Sequence, residues 1–177
     1  HSRVQGTVGK PLPGISLRIA LIPKNIVAST GEIGEIQIKG PNVLQCYWRQ
    51  PEKTKESYTT DGWFKTGDLG KVDVAGNVTI TGRAKELIIS GGFNIYPQEI
   101  INCLVEHPHI KEAAVIGVND QKRGELVKAY IVKENQSITA EEIVEYCKKH
   151  LASFKIPKSI EFLESLPRNA MGKLQLQ

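Results

Sequence analysis

Gly82-Arg83-Ala84-Lys85-Glu86 divides the chain into two styles of sequence. Working back toward the N-terminus, every strong signal is a β signal. Val72 and Val74, a turn at Ala75-Gly76-Asn77, then Val78 and Ile80 predict a hairpin over Lys71 to Thr81. Ile33, Ile36 and Ile38 lie in an apolar segment bounded by Gly31 and Gly40, and Ile15, Leu17 and Ile19 alternate with other residues. Pro51 to Tyr58 predicts a short helix with proline at its start. Working forward, strands and helices mix. Glu86 to Ile89, Ile110 to Val118, Leu126 to Val132 and Ser159 to Leu163 are strand-like, and Pro97 to Glu106 is helix-like. Thr139 and Glu142 have the spacing of a capping box, and Ile143, Cys147 and Leu151 share one face of the helix that follows. The expected fold class is α+β. A β-rich subdomain over residues 1–84, a small antiparallel sheet or open barrel, precedes a compact α+β domain over residues 85–177. Nothing at the junction is long or Ser/Gly-rich, which predicts a short hinge instead of a tether.

Composition narrows the classes of function. The 177 residues are 40% hydrophobic and 24% charged, a globular balance with enough mass for a core. The net charge of +4 is spread among acids, as in Glu52-Lys53-Thr54-Lys55-Glu56, where a nucleic-acid binder concentrates its cations on one face. No apolar run is long enough for a membrane span, and His1 to Gly9 has no signal-like stretch. The only methionine is Met171, so a fragment or a processed chain is expected. Cys46, Cys103 and Cys147 are odd in number and far apart, which argues against a disulfide framework and for a reducing, cytoplasmic setting.

Three stretches carry candidate chemistry. In Trp63-Phe64-Lys65-Thr66-Gly67-Asp68, a glycine precedes a carboxylate between β segments. A carboxylate accepts several hydrogen bonds and suits the paired hydroxyls of a ribose, although Gly-Asp is equally the chemistry of a plain turn. Arg83 offers a planar fork for phosphate or ribose oxygens. Gly91 and Gly92, in Ser90-Gly91-Gly92-Phe93-Asn94-Ile95-Tyr96-Pro97, allow close backbone approach to a ligand or simply a turn between a strand and a helix. Pro167-Arg168-Asn169-Ala170-Met171-Gly172-Lys173 lacks the first glycine of a phosphate loop, and Leu174 stands where that motif has Ser or Thr. Lys173 is either a mobile cation able to neutralise charge at a reacting phosphate or a solvated lysine. Cys103, His107, His109, Cys147 and His150 have no zinc-type spacing, so no metal site is expected. There is no Gly-x-Ser-x-Gly elbow to support a hydrolase triad.

Taken in order, these stretches resemble the C-terminal portion of the adenylate-forming superfamily: acyl-CoA synthetases, peptide-synthetase adenylation domains and luciferases. The resemblance runs over essentially the whole chain, from Gly6-Thr7-Val8-Gly9-Lys10-Pro11-Leu12-Pro13-Gly14 and Gly34-Glu35-Ile36-Gln37-Ile38-Lys39-Gly40 through Thr66-Gly67-Asp68 and Gly82 to Glu86. It continues through Gly91 to Ile100 and ends on Pro167 to Lys173. It implies a two-step reaction in which ATP and a carboxylate give acyl-AMP, and the thiol of CoA then displaces AMP. It further implies that Asp68 holds the ribose hydroxyls, Arg83 contacts the nucleotide, Lys85 is the hinge and Lys173 stabilises the adenylation transition state. Gly91, with Gly92 beside it, would face the passage of the pantetheine. Mg2+ is expected with ATP, without an identified ligand on this chain. The family's upstream phosphate loop and acyl pocket do not occur in this sequence. The Phe93 to Pro97 and Pro167 to Lys173 stretches look most like fatty-acyl and malonyl-type CoA ligases. Two other readings stay open: an adenylation domain that loads a carrier protein, and a non-catalytic module that binds a nucleotide or a partner.

Overall fold

The computed structural model describes residues 4–134 and 138–176. The chain forms two compact units, residues 1–85 and 86–177.

In the first unit, β1 (Ser16–Leu21), β2 (Ile26–Val27), β3 (Gly34–Lys39), β4 (Phe64–Val72) and β5 (Val78–Arg83) form one antiparallel sheet in the order β2-β1-β3-β4-β5. The expected small sheet is therefore a linear five-stranded one. Helix α1 (Pro51–Glu56) lies between β3 and β4, with proline in its first turn as the sequence predicts. Ile19, Ile36 and Val78 are buried, with Leu17, Ile38 and Val72 against them, because alternate residues of each strand face the same side. One buried position is polar. Gln37 is fully buried on β3, and its amide is satisfied on both sides. Its Nε2 donates to Asn25 Oδ1 at 2.7 Å, and its Oε1 accepts from Arg18 Nε at 2.8 Å. The rest of the Arg18 fork donates to both oxygens of Asp61, at 2.6 and 3.1 Å, and lies 4.6 Å from the centre of the Trp63 ring. Arg18 holds the Asp61 carboxyl down at about 2.

The β4–β5 hairpin differs from expectation at its tip. Val74 is 97% exposed and belongs to the turn. The Asp73 carboxylate accepts from the backbone N–H groups of Ala75 and Asn77, at 2.9 and 2.8 Å, and so ends β4 at Val72.

The second unit is built on a long hairpin. β8 (Ile110–Asp120) pairs along its length with β9 (Gly124–Lys133), and β10 (Ser159–Leu163) runs parallel on the other side of β9. Side chains alternate between two apolar faces. Ala113, Val115, Val127, Ala129 and Ile131 turn toward Ile100 and Leu104 of α2 (Pro97–Val105) and Ile143 and Cys147 of α3 (Ala140–His150). Ala114, Tyr130 and Val132 turn the other way, where Leu163, Leu166 and Leu176 cover them. Both faces are thus apolar, which is why Ala113 to Val118 reads as an unbroken apolar run. The capping box of α3 is formed: Thr139 Oγ1 accepts from Glu142 N at 3.2 Å, and Glu142 accepts from Thr139 N at 2.8 Å. Among the described residues, no helix is long and apolar enough to cross a membrane.

Candidate functional site

Asp68 and Arg83 are brought together. They are directly opposed across the β4–β5 ladder, and Arg83 Nη1 lies 2.7 Å from Asp68 Oδ1. The Asp68 side chain is 30% exposed and that of Arg83 is 55% exposed, so the pair remains open to solvent. The carboxylate is thus held by a cation while part of it stays open to solvent, and a carboxylate has lone pairs to accept from a ligand as well.

The sequence places Asp68 in a turn between β segments. The structure places it inside one continuous nine-residue strand, β4. The glycine does not break the strand because the strand bulges there. Gln37 pairs with Lys65 and Glu35 with Leu69, so Thr66, Gly67 and Asp68 together face the single residue Ile36. Gly67 takes φ 73°. The Thr66 hydroxyl donates to Ile36 O at 2.7 Å and accepts from Asp68 N at 3.0 Å. A second irregularity faces it on β5, where Thr81 is the extra residue between the Leu69–Gly82 and Gly70–Ile80 pairs. Thr81 Oγ1 is buried without a hydrogen bond.

Lys85 is exposed and sits at the centre of a single 3₁₀ turn, Ala84–Glu86, where the chain leaves one unit for the other. Gly91 and Gly92 form the loop of a hairpin between β6 (Ile88–Ser90) and β7 (Phe93–Ile95), and not a link from strand to helix. Both glycines have positive φ, 57° and 84°, as a two-residue type I′ turn requires. Gly91 N donates to Arg123 O at 2.8 Å, which ties the loop to the β8–β9 turn. Phe93, beside the loop, is 53% exposed and stacks on Phe154 with ring centres 4.5 Å apart. Phe154 carries no signal in the sequence that would single it out.

Lys173 stands on a tight hairpin instead of a loose loop. Arg168 bridges to Leu174, Asn169 N donates to Lys173 O at 2.8 Å, and Asn169 Oδ1 accepts from Met171 N and Lys173 N at 3.0 and 2.9 Å. Arg168 anchors the hairpin to β8 through Glu112 at 2.8 Å, and Leu166 is buried beneath it. The Lys173 side chain is exposed, and its ammonium has no partner among the described residues. Lys173 and the Gly91-Gly92 loop are not brought together. Glu112 and the Asp120 turn lie at opposite ends of β8, separated by about 27 Å of strand.

Of the remaining candidates, Cys103, Cys147 and His107 pack within the second unit. Cys103 and Cys147 are buried between α2 and α3, and burial, with Cys103 nearby, pushes the Cys147 thiol up to about 12. Such a thiol is a poor nucleophile and a poor metal ligand at neutral pH. The His107 ring packs edge-on against Tyr146. Among the described residues, no three His, Cys, Asp or Glu side chains gather into a metal site. An open depression of about 410 Å³ lined by Cys46, Tyr47, Arg49 and Lys55 contains none of Asp68, Arg83, Lys85, Gly91, Gly92 and Lys173.

Residues 99–173 match the family described as the AMP-binding enzyme C-terminal domain. The crystal structure of ATP-bound MatB from Rhodopseudomonas palustris superposes over 99% of this chain and 35% of its own, with a TM-score of 0.90 and 45% identity. Over essentially its whole length the chain is similar to adenylate-forming CoA ligases. It is 44% identical over 169 residues to a 2-succinylbenzoate–CoA ligase of Bacillus licheniformis, covering 96% of this chain and 34% of that protein. It is 38% identical over 169 residues to a long-chain-fatty-acid–CoA ligase of Salmonella typhimurium, covering 96% of this chain and 30% of the relative. Another adenylate-forming structure, o-succinylbenzoate coenzyme A synthetase (MenE) of Bacillus subtilis in complex with ATP and a magnesium ion, covers 96% of this chain and 34% of its own, with 41% identity and a TM-score of 0.82. The chain thus spans about a third of the length of the relatives it matches. The α+β fold of the second unit is that of the adenylate-forming C-terminal domain.

Proposed function

We propose that the enzyme carrying this chain activates a carboxylic acid with ATP and passes the acyl group to CoA. A carboxylate oxygen of the acid attacks the α-phosphorus, the bond from that phosphorus to the bridging oxygen breaks, and pyrophosphate leaves. In the second step the CoA thiol, losing its proton, attacks the acyl carbon and AMP leaves. The Asp68 carboxylate accepts hydrogen bonds from the ribose hydroxyls. Arg83 orients that carboxylate and faces the nucleotide. Lys173 brings its charge to the pentacoordinate phosphorus, where negative charge grows, and acts electrostatically without moving a proton. Lys85 is the hinge on which the second unit turns between the steps, and the Gly91-Gly92 loop lines the path of the pantetheine. Magnesium would accompany ATP, a reading supported by the MenE structure that holds ATP and a magnesium ion. The acid is a fatty acid and the setting is the cytoplasm. The long-chain-fatty-acid–CoA ligase supports the first, and the two buried free thiols support the second.

The observation that carries this reading is the solvent-open Asp68–Arg83 pair. The test is Asp68→Asn in the full-length enzyme, read as pyrophosphate released from ATP with a panel of fatty, dicarboxylic and aromatic acids. We expect the KM for ATP to rise about tenfold or more, since one charge-assisted contact supplies about 1.5–3 kcal/mol. An unchanged KM for ATP rejects the assignment of Asp68, and a preference for dicarboxylic or aromatic acids rejects the fatty-acid assignment.

A further inference from the structure

The bulge in β4 accounts for how a residue inside a sheet comes to face a ligand, and one side chain closes it. Three residues of β4 stand against one of β3, so the ladder loses its regular partners between the Gln37–Lys65 and Glu35–Leu69 pairs. Two backbone groups there need other partners, Ile36 O and Asp68 N, and the Thr66 hydroxyl serves both, at 2.7 and 3.0 Å. A hydroxyl is suited to this task because it donates and accepts at once. Without it, the regular ladder competes with the bulge. Absorbing the two extra residues would slide Asp68 along β3 by about 7 Å and break its alignment with Arg83.

We propose that Thr66 is the positioning residue of the nucleotide site: its hydroxyl holds the bulge that sets the Asp68 carboxylate against Arg83. This rests on the reading of Asp68 as the ribose-binding carboxylate. Thr66 touches no reacting atom and acts only through Asp68.

The experiment uses the full-length enzyme with Thr66→Val, which keeps the shape and removes the hydroxyl, and Thr66→Ser, which restores it. Thr66→Val raises the KM for ATP about tenfold and leaves kcat within about twofold, the size of one lost hydrogen bond that positions a charge. Thr66→Ser stays within about twofold of wild type for both constants. In an Asp68→Asn background, Thr66→Val adds no further loss, because the group it positions is gone. Gly67→Ala gives a second route to the same result: a side chain there meets open space, so its only effect is strain at φ 73°. Amide hydrogen exchange at Asp68 N is slow in wild type and in Thr66→Ser and at least tenfold faster in Thr66→Val. The proposal is overturned if Val and Ser behave alike, if losses at Thr66 and Asp68 add, or if Asp68 N stays protected in Thr66→Val. Should Asp68→Asn leave the KM for ATP unchanged, the nucleotide reading fails, and the exchange measurement still decides whether Thr66 holds the bulge.

Discussion

Replacing Lys173 with alanine tests the assignment of the adenylation cation, because the structure separates its backbone role from its side-chain role. The hairpin is held by Asn169, which bonds the N–H and C=O of Lys173, and by Arg168 on Glu112. None of these contacts uses the Lys173 side chain, whose ammonium has no partner among the described residues. Truncation to Ala therefore leaves the melting temperature within error of wild type. The chemical effect is large by contrast. A unit charge about 4 Å from a developing unit charge, at an effective dielectric of about 20, is worth about 4 kcal/mol. Removing a preorganised transition-state contact of this kind costs about 3–4 kcal/mol, a slowing of roughly 10²- to 10³-fold. The assay is single-turnover kinetics of the two half-reactions in the full-length enzyme: pyrophosphate release from ATP and acid, and thioester formation from supplied acyl-AMP. The first slows by that factor and the second is unchanged. Equal slowing of both steps, or a fallen melting temperature, would refute the reasoning.

Lys85→Pro fixes φ in the 3₁₀ turn between the units; it slows thioester formation from supplied acyl-AMP while leaving pyrophosphate release within about threefold of wild type in the same single-turnover assays. The Asp61 carboxyl titrates at about 2 when folded against 3.8 as its ordinary value, so its contribution to stability is complete above pH 3.8 and is lost as pH falls through about 2. Acid unfolding monitored by circular dichroism therefore shows a pH dependence in that window that weakens in Asp61→Asn. Leu104 is fully buried in the core of the second unit, and Leu104→Ala destabilises that unit by about 2–5 kcal/mol, seen as a lower urea midpoint for the fluorescence or NMR signals of residues 86–177.

Much of the fold was legible because its long elements carry undiluted signals. The capping box at Thr139 and Glu142, the proline starts of α1 and α2, and the apolar runs of β8 and β9 each report a local requirement that the structure meets. What escaped was set by pairing. β6 and β7 have three residues each, too few to display a period, so the Gly91-Gly92 loop reads as a link into a helix when it is a hairpin turn. Gly67 reads as a break because glycine is the usual punctuation. The hydroxyl of Thr66, two residues before Asp68, lets β4 continue through it. The types of residue at the candidate site were equally legible, but their meeting was not. Asp68 and Arg83 face each other only because β5 carries one extra residue at Thr81, a register detail that no local pattern reveals. The order imposed on Lys173 by Asn169 lies within the recognised motif, but only the folded chain shows that its amide group closes the hairpin.

The geometry of the second unit gives a physical reason why a hinge belongs in the proposed mechanism. Its two candidate surfaces, Lys173 and the Gly91-Gly92 loop, are fastened to opposite ends of β8, about 27 Å apart along the strand. That separation is not adjustable. β8 and β9 are packed on both faces, by α2 and α3 on one and by Leu163, Leu166 and Leu176 on the other, so the two ends are held at a fixed distance. The two proposed chemical steps, however, lie within a bond or two of each other, at the α-phosphorus and then at the acyl carbon. A rigid body cannot offer both ends to one point at once. If Lys173 serves the first step and the glycine loop the second, the unit has to turn between them. The chain crosses between units at a 3₁₀ turn centred on the exposed Lys85, the place where a change of φ and ψ would turn one unit against the other. The loss of thioester formation in Lys85→Pro and the loss of adenylation in Lys173→Ala are therefore linked outcomes. Should Lys85→Pro spare the second step, either the glycine loop does not serve CoA or the unit does not turn at Lys85, and Gly92→Asp, which places a charge on the loop, distinguishes the two by whether it slows thioester formation alone.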